Sequence, residues 1–279
     1  MKPGVYEGIP NAEYHGGPGI SKSGLDLVHR SPMHYNAVVT AANDRTPTPA
    51  QEIGTAAHAI ILEPHVFDES YVLAPKFDRR TKEGKAAAAA FEDENAGKIC
   101  LQQETWDQIF AMAAAVNAHP AAGSLLTSCP GEAEKSVYWI DATTGVLCRC
   151  RPDWWRDDSV IVDLKTTEDA SPEGFAKSIA NWRYDVQAAY YLDGVQQATG
   201  KRPKAFVFIA VEKKPPYGVG VYVLDSESLD LGRAQYQHDL RVYAECVRTG
   251  VWPGYGDKIQ TISLPAWHAN KNAHLVGAA

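Results

Sequence analysis

The chain lacks any uninterrupted apolar run long enough to cross a bilayer, and its opening stretch, MKPGVYEGIPNAEYHGG, lacks the apolar core of a secretory signal. A cytoplasmic location with no membrane contact is therefore expected. A disulfide framework is also missing. The five cysteines, Cys100, Cys129, Cys148, Cys150 and Cys246, are odd in number and irregularly spaced. Four ligands grouped at zinc or iron–sulfur spacing cannot be assembled from them, so no iron–sulfur cluster is expected and the thiols read as reduced and buried. Internal repeats and long low-complexity tracts are absent. Basic residues are in the minority, 27 Lys and Arg against 34 Asp and Glu, for a net charge of −7. That excludes a surface coated in positive charge. It does not exclude a DNA enzyme, because metal-binding carboxylates count as negative until the cation arrives and a basic patch can be local.

What is present is ordinary globular composition, 45% hydrophobic and 22% charged over 279 residues, enough for one large core. A single domain over residues 1–279 is expected. Ser21 caps a helix in GISKSGLDLVHRSP that Pro32 ends, and TPAQEIGTAAHAIILEP is a helix closed by Pro64. Asn43 to Pro49 reads as an exposed loop. Further helices are expected over Glu83–Asn95 and Glu104–Ala118. The period then changes. EKSVYWI (Glu134–Ile140), the turn Thr143–Gly145 and VLCRCRPDWW form a hairpin, and SVIVDLKTT is a third strand of the meander. Helices at Glu173–Ala180 and Arg183–Thr199, strands KAFVFIAVE and GVGVYVL, and a helix from Ser226 to Thr249 complete the order. The fold class is α/β, a central mixed β-sheet flanked by α-helices.

One constellation stands out. An acid-x-Lys pair occurs about twice by chance at this composition, and Glu83-x-Lys85 and Glu212-x-Lys214 read as surface matches. Asp163-x-Lys165 differs because it ends the apolar run VIV of a buried strand. Asp163 and Lys165 share one face, while Leu164 points to the other. Asp153 lies on the neighbouring strand and can be brought beside Asp163, and Glu134 can join them. Three clustered carboxylates repel unless neutralised, and a hard divalent cation such as Mg²⁺, with Mn²⁺ as substitute, is the simple solution. Lys165 then offsets charge on a phosphate or holds a water. His58 is either a core histidine or a ligand. Gln187 and Tyr191, four apart on one helical face, are either plain amphipathicity or a polar pair facing the site. Ser21, Lys22 and Ser23 at a helix start offer N–H groups and a charge to a terminal phosphate. Arg79, Arg80, Lys82 and Lys85 are the densest basic cluster, either a solvated loop or a DNA-backbone contact. Trp154 and Trp155 alternate faces and are assigned to packing.

Glu134, Asp153, Asp163-x-Lys165 and Gln187-x-x-x-Tyr191, preceded by His58, resemble the PD-(D/E)xK nuclease superfamily. GISKSGLD, GTAAHAIILEP, FDRRTKEGK, GVLCRCRPD, VDLKTTED, YDVQAAYYLDG and ISLPAW, spread from Gly4 to Trp267, resemble the nuclease domain of RecE-type exonucleases. The resemblance implies a restriction-endonuclease-like core. It implies Mg²⁺-dependent 5′-to-3′ digestion of one strand of linear double-stranded DNA, leaving 3′ single-stranded tails. A ring-shaped homo-oligomer, tetrameric by preference, and a RecT-like single-strand annealing protein are the implied partners. Carried over, Asp153, Asp163 and the Leu164 carbonyl hold metal with His58, Lys165 activates water, Glu134 assists, and Gln187 and Tyr191 complete the site. An endonuclease or single-strand nuclease of the superfamily, or a non-catalytic DNA-end-binding protein on this fold, are the alternatives. Dead relatives lose the lysine or an acid, and here all three are present.

Overall fold

The computed structural model describes residues 1–41 and 48–276, the side chain of Val276 excepted. In chain order the elements are β1 (Gly4–Tyr6), α1 (Asn11–Gly16), α2 (Lys22–Arg30), α3 (Pro32–Thr40), α4 (Pro49–Leu62), α5 (Pro64–Ser70), β2 (Tyr71–Leu73), α6 (Lys82–Glu94), β3 (Ile99–Leu101), α7 (Gln103–Ala118) and α8 (Pro120–Thr127). There follow β4 (Gly131–Ala133), β5 (Ser136–Ile140), β6 (Leu147–Cys150), β7 (Trp154–Arg156), β8 (Val160–Thr167), α9 (Pro172–Trp182), α10 (Tyr184–Thr199), β9 (Ala205–Glu212), β10 (Val219–Val223), α11 (Ser226–Thr249) and α12 (Ala266–Val276). Most of the loop expected at Asn43–Pro49 falls outside the described residues. Thr48 and Pro49 belong to the start of α4, where Thr48 and Gln51 form a capping box.

The central sheet has five strands in the order β10-β9-β8-β7-β4. β8 and β9 are parallel, and the other neighbours are antiparallel. The sheet is packed on both faces, so its inner strands are apolar on both. Ile161, Phe206, Phe208 and Ala210 face a core shared with α2, α9, α10 and α11, around Leu25, Phe175, Val186, Tyr190 and Leu240. Val162, Leu164, Ile209 and Val211 face the other core, with Ala57 and Ile61 of α4 and Met112 and Val116 of α7. A third cluster, Ala56, Phe67, Tyr71, Leu101 and Ile109, seats the parallel pair β2–β3 against α4 and α7. Among the described residues no single helix is long and apolar enough to cross a membrane.

The expected hairpin is present but is more divided than its alternation implies. GEAEKSVYWI and VLCRCRPDWW pair in one unbroken register, Val137 opposite Cys150 and Ala133 opposite Trp154. Each strand is nevertheless split between two sheets. β5 and β6 join β1 in a three-stranded sheet, while β4 and β7 join the central one. The break falls where Pro152 removes an N–H from the ladder and fixes its own φ. One residue on, opposite Asp153, Glu134 takes a left-handed φ of 55°. Glu134 is thus outside the strand in which the sequence placed it, and Asp153 lies in the bend before β7 rather than within a strand.

Candidate active site

The bend in the hairpin is where the acids gather. The Glu134 N–H donates to the Asp153 carbonyl at 3.3 Å, so the two acidic residues are tied through their backbones. β7 pairs with β8 only at Trp154–Val162 and Trp155–Ile161. Beyond Val162, β8 has a strand neighbour on one side alone. The Leu164 N–H, which would have met β7, instead donates to Asp153 Oδ2 at 2.8 Å. In a strand the N–H and C=O of one residue point the same way, so the Leu164 carbonyl faces the same opened side.

Asp163 is fully buried on the α10 face. Its Oδ1 accepts from Gln187 Nε2 at 2.6 Å. Lys165 Nζ forms an ion pair with Asp163 Oδ2, and that buried oxygen has no other polar partner. Burial pushes the Asp163 carboxyl up to about 7, the Asp153 charge adds to this, and the Lys165 ammonium opposes it. Burial alone would depress the Lys165 ammonium, but the Asp163 and Asp153 charges outweigh it and hold it above its ordinary value. Burial and the Asp153 charge likewise raise Glu134, to about 8, with Arg151 opposing and Glu63 and Asp163 adding. His58 Nδ1 stands 3.5 Å from Asp153 Oδ2.

The structure therefore brings Asp153, Asp163, Leu164, Lys165, Gln187, Glu134 and His58 together. Tyr191 is one turn along α10 from Gln187, packed on Phe206 and Tyr190. Burial raises its hydroxyl well above the usual value, and the Asp163 and Asp153 charges contribute. Of the helix-start trio, Lys22 reaches the site. Its charge bears on Asp163, while its Nζ donates to the Trp182 carbonyl and pairs with Asp26, both at 2.7 Å. Ser21 Oγ is occupied in capping Gly24 N–H at 3.3 Å and lies 3.0 Å from Ser23 Oγ. Arg79, Arg80, Lys82 and Lys85 stand elsewhere, on α6 and the strap before it. Arg79 pairs with Glu92 at 2.6 Å and Arg80 with Asp78 at 2.8 Å. A Cβ at Gly54 would meet only Thr166 Oγ1, at 3.5 Å, while Ala57 and Ile61 of α4 pack into the core under the sheet.

Three contributors were not read from the sequence. The Tyr184 ring lies 4.8 Å from Lys165 Nζ and 5.9 Å from Lys22 Nζ, between two ammonium groups. Arg151, buried, donates to Ser136 Oγ and the Ile9 carbonyl and stands 3.8 Å from Glu134. Glu63, at the end of α4, adds its charge to the acids. Tyr184 alone left a signal, one turn before the Gln187–Tyr191 face.

Do these residues fit a divalent cation? Among the described residues no three His, Cys, Asp or Glu side chains stand at ligand spacing around one point. The donor chemistry still fits one. Asp163 Oδ2 is a buried oxygen met only by the Lys165 ammonium, the Asp153 charge disfavours ionisation of Asp163, and both acids are hard oxygen donors. Lys165 now lies against the oxygen that such a cation would take.

Residues 21–265 match the model of a family described as a PDDEXK-like domain of unknown function, DUF3799. The chain belongs to that family. Pro152-Asp153 and Asp163-Leu164-Lys165 both lie within the matched span. No curated protein matches the chain. Among solved structures, a candidate exonuclease from Eubacterium rectale is similar over 96% of this chain and 99% of its own, at 14% identity and a TM-score of 0.62. That likeness shows the fold. An alkaline exonuclease from Laribacter hongkongensis aligns over 72% of this chain and 96% of its own at 13% identity, but its TM-score of 0.29 is too low to bear on the architecture.

Proposed function

We propose that the protein is a Mg²⁺-dependent exonuclease that digests one strand of linear double-stranded DNA from its 5′ end and leaves a 3′ single-stranded tail. The observation that carries the reading is the convergence of Asp153, Asp163 and Lys165 at the end of the β7–β8 ladder, with Gln187 fixing Asp163. The E. rectale structure, named for exonuclease activity and alike in fold, supports the class of chemistry. Polarity, duplex preference, a tetrameric ring around the DNA and a RecT-like annealing partner come from the sequence resemblance.

Asp153, Asp163 and the Leu164 carbonyl would hold the cation, with His58 beside Asp153. When bound, Mg²⁺ polarises the phosphodiester and acidifies water. The chain's own residues do the rest. Gln187 holds the Asp163 carboxylate in one rotamer through Oδ1 and leaves Oδ2 for the ligand role. Lys165, kept protonated by the acids, supplies positive charge where a pentacoordinate phosphate gathers negative charge. Tyr184 backs both Lys165 and Lys22, limiting where their ammonium groups point. Glu134, held neutral to about pH 8 by burial and its neighbours, provides a proton donor or acceptor close to working pH.

Linear duplex DNA labelled at its 5′ or its 3′ end, incubated with Mg²⁺, tests this, with closed circular DNA and Lys165→Ala as controls. Early release of 5′ label from linear DNA, lost in the variant, is expected. Cutting of the circle would instead make the protein an endonuclease. No cutting of either would leave a DNA-end-binding protein.

A further inference from the structure

Away from the acids, a cleft of about 440 Å³ opens between the strap that follows β2 and the helix α6. Its volume falls within the range of small-ligand pockets, about 300–1,000 Å³. Lys76, Phe77 and Arg79 line it from the strap, Phe91 and Glu92 from α6, and Gln102 from beyond β3. The Phe77 and Phe91 rings lie 5.7 Å apart, both half-buried. Between Lys76 and Lys85 the chain carries five cations and two acids, the reverse of its overall balance of −7. Arg79 and Glu92, both lining the cleft, form an ion pair, and both are more than half exposed. A pair this exposed is weak, so a phosphate can take the guanidinium from the carboxylate at little cost.

Aromatic rings beside cations are the means by which proteins hold unpaired nucleotides, the base on a ring and the phosphate on the charge. We propose that this cleft binds single-stranded DNA, seating one base against Phe77 and Phe91 and its phosphate on Lys76 and Arg79, with Gln102 offering an amide to the base edge. The idea rests on the nuclease reading to the extent that digestion of one strand leaves the other unpaired. The β2–β3 unit that bears the cleft is seated on α4, the helix that carries His58.

The test does not use cleavage. Binding of a fluorescein-labelled thymidine oligonucleotide to the full chain is followed by anisotropy in EDTA. Arg79→Ala and Phe91→Leu should each weaken binding about fivefold or more. Arg79→Ala should also reduce the slope of log affinity against log salt by about 0.7, and Phe91→Leu should leave it unchanged. Arg79→Lys and Phe91→Tyr should restore most of the affinity. The unmutated protein gives a second readout, because Cys100 lines the cleft and is half-exposed, as is Cys129 outside it. Saturating oligonucleotide should slow iodoacetamide alkylation of Cys100 several-fold and leave Cys129 unchanged. Unaltered affinity in Arg79→Ala, unprotected Cys100, or equal displacement by free thymidine monophosphate would each overturn the proposal. Because the assay is silent to catalysis, a chain that cleaves nothing would still show whether the cleft holds single-stranded DNA.

Discussion

Strands β8 and β9 lie side by side, parallel and each eight residues long, with Asp163 opposite Phe208 and Lys165 opposite Ala210. β9, with β10 on its other side, is paired along most of its length and is buried hydrocarbon from Phe206 to Val211. β8 starts the same way at Val160, Ile161 and Val162, then turns polar on one face at the residue where β7 stops. Both strands lie between the same two apolar cores. What differs is the loss of a ladder partner. It exposes backbone groups that a side chain must satisfy, and Asp153 does so. The fold gathers its acids by ending a strand early beside a strand that continues. Charge is then tolerated in the interior because partners for it are fixed on three elements.

Breaking the two strands at matched positions should separate chemistry from stability. Asp163→Asn keeps the shape and the Gln187 contact but removes the buried charge. Cleavage should fall by about a thousandfold or more, because a carboxylate proposed to hold the cation is lost and with it the charge stabilisation of the transition state. The melting temperature of the metal-free protein should hold or rise, since a desolvated carboxylate is gone. Its neighbour behaves oppositely. Phe208→Ala should cost about 3–5 kcal/mol of stability, because Phe208 is fully buried against Phe175, Tyr184 and Phe206. Chemical denaturation and end-labelled cleavage, measured on both variants, check the pair. A Phe208→Ala protein that remains as stable as the parent, or an Asp163→Asn protein that still cuts, would mean that the two strands do not divide their work in this way.

The same contrast explains how much of the site could be read in advance. Helices α2 and α4 and the strands β8 and β9 follow from caps, prolines and apolar runs, all local signals. Asp163 and Lys165 were legible because charge interrupts such a run. The bend at Glu134 and Asp153 was not. The hairpin register passes through it unbroken, so the alternation of side chains gives no warning, and Pro152 is the single local sign. Arg151 and Arg149 look like strand-surface cations in sequence. In the fold both are buried and donate to N-terminal backbone carbonyls, Ile9 for Arg151 and His15 for Arg149, contacts made across about half of the chain. Tyr184 gains its place because Arg183, at a left-handed φ of 55°, joins α9 to α10 and is clamped by Asp26 and Asp239. No periodicity encodes such a join.

The smallest effect sharpens the comparison through pH. In an unfolded chain the Asp163 carboxyl ionises near pH 4. In the fold, burial and the Asp153 charge keep the proton on until about 7, and Glu134 extends the same behaviour to about 8. Between those limits the folded state binds more protons than the unfolded one, so stability is greatest in acid and declines as pH rises from about 4 to about 8. The melting temperature in EDTA should therefore drop by several degrees over that window. Mg²⁺ binds the ionised acids, so it should flatten the slope and raise the melting temperature most at the alkaline end. Asp163→Asn in EDTA should remove about half of the decline, with Glu134 carrying the rest, whereas a conservative Phe208→Leu change on β9 should lower the whole curve and leave its slope intact. Equal slopes with and without Mg²⁺ would show that the acids at the end of the β7–β8 ladder do not share a cation.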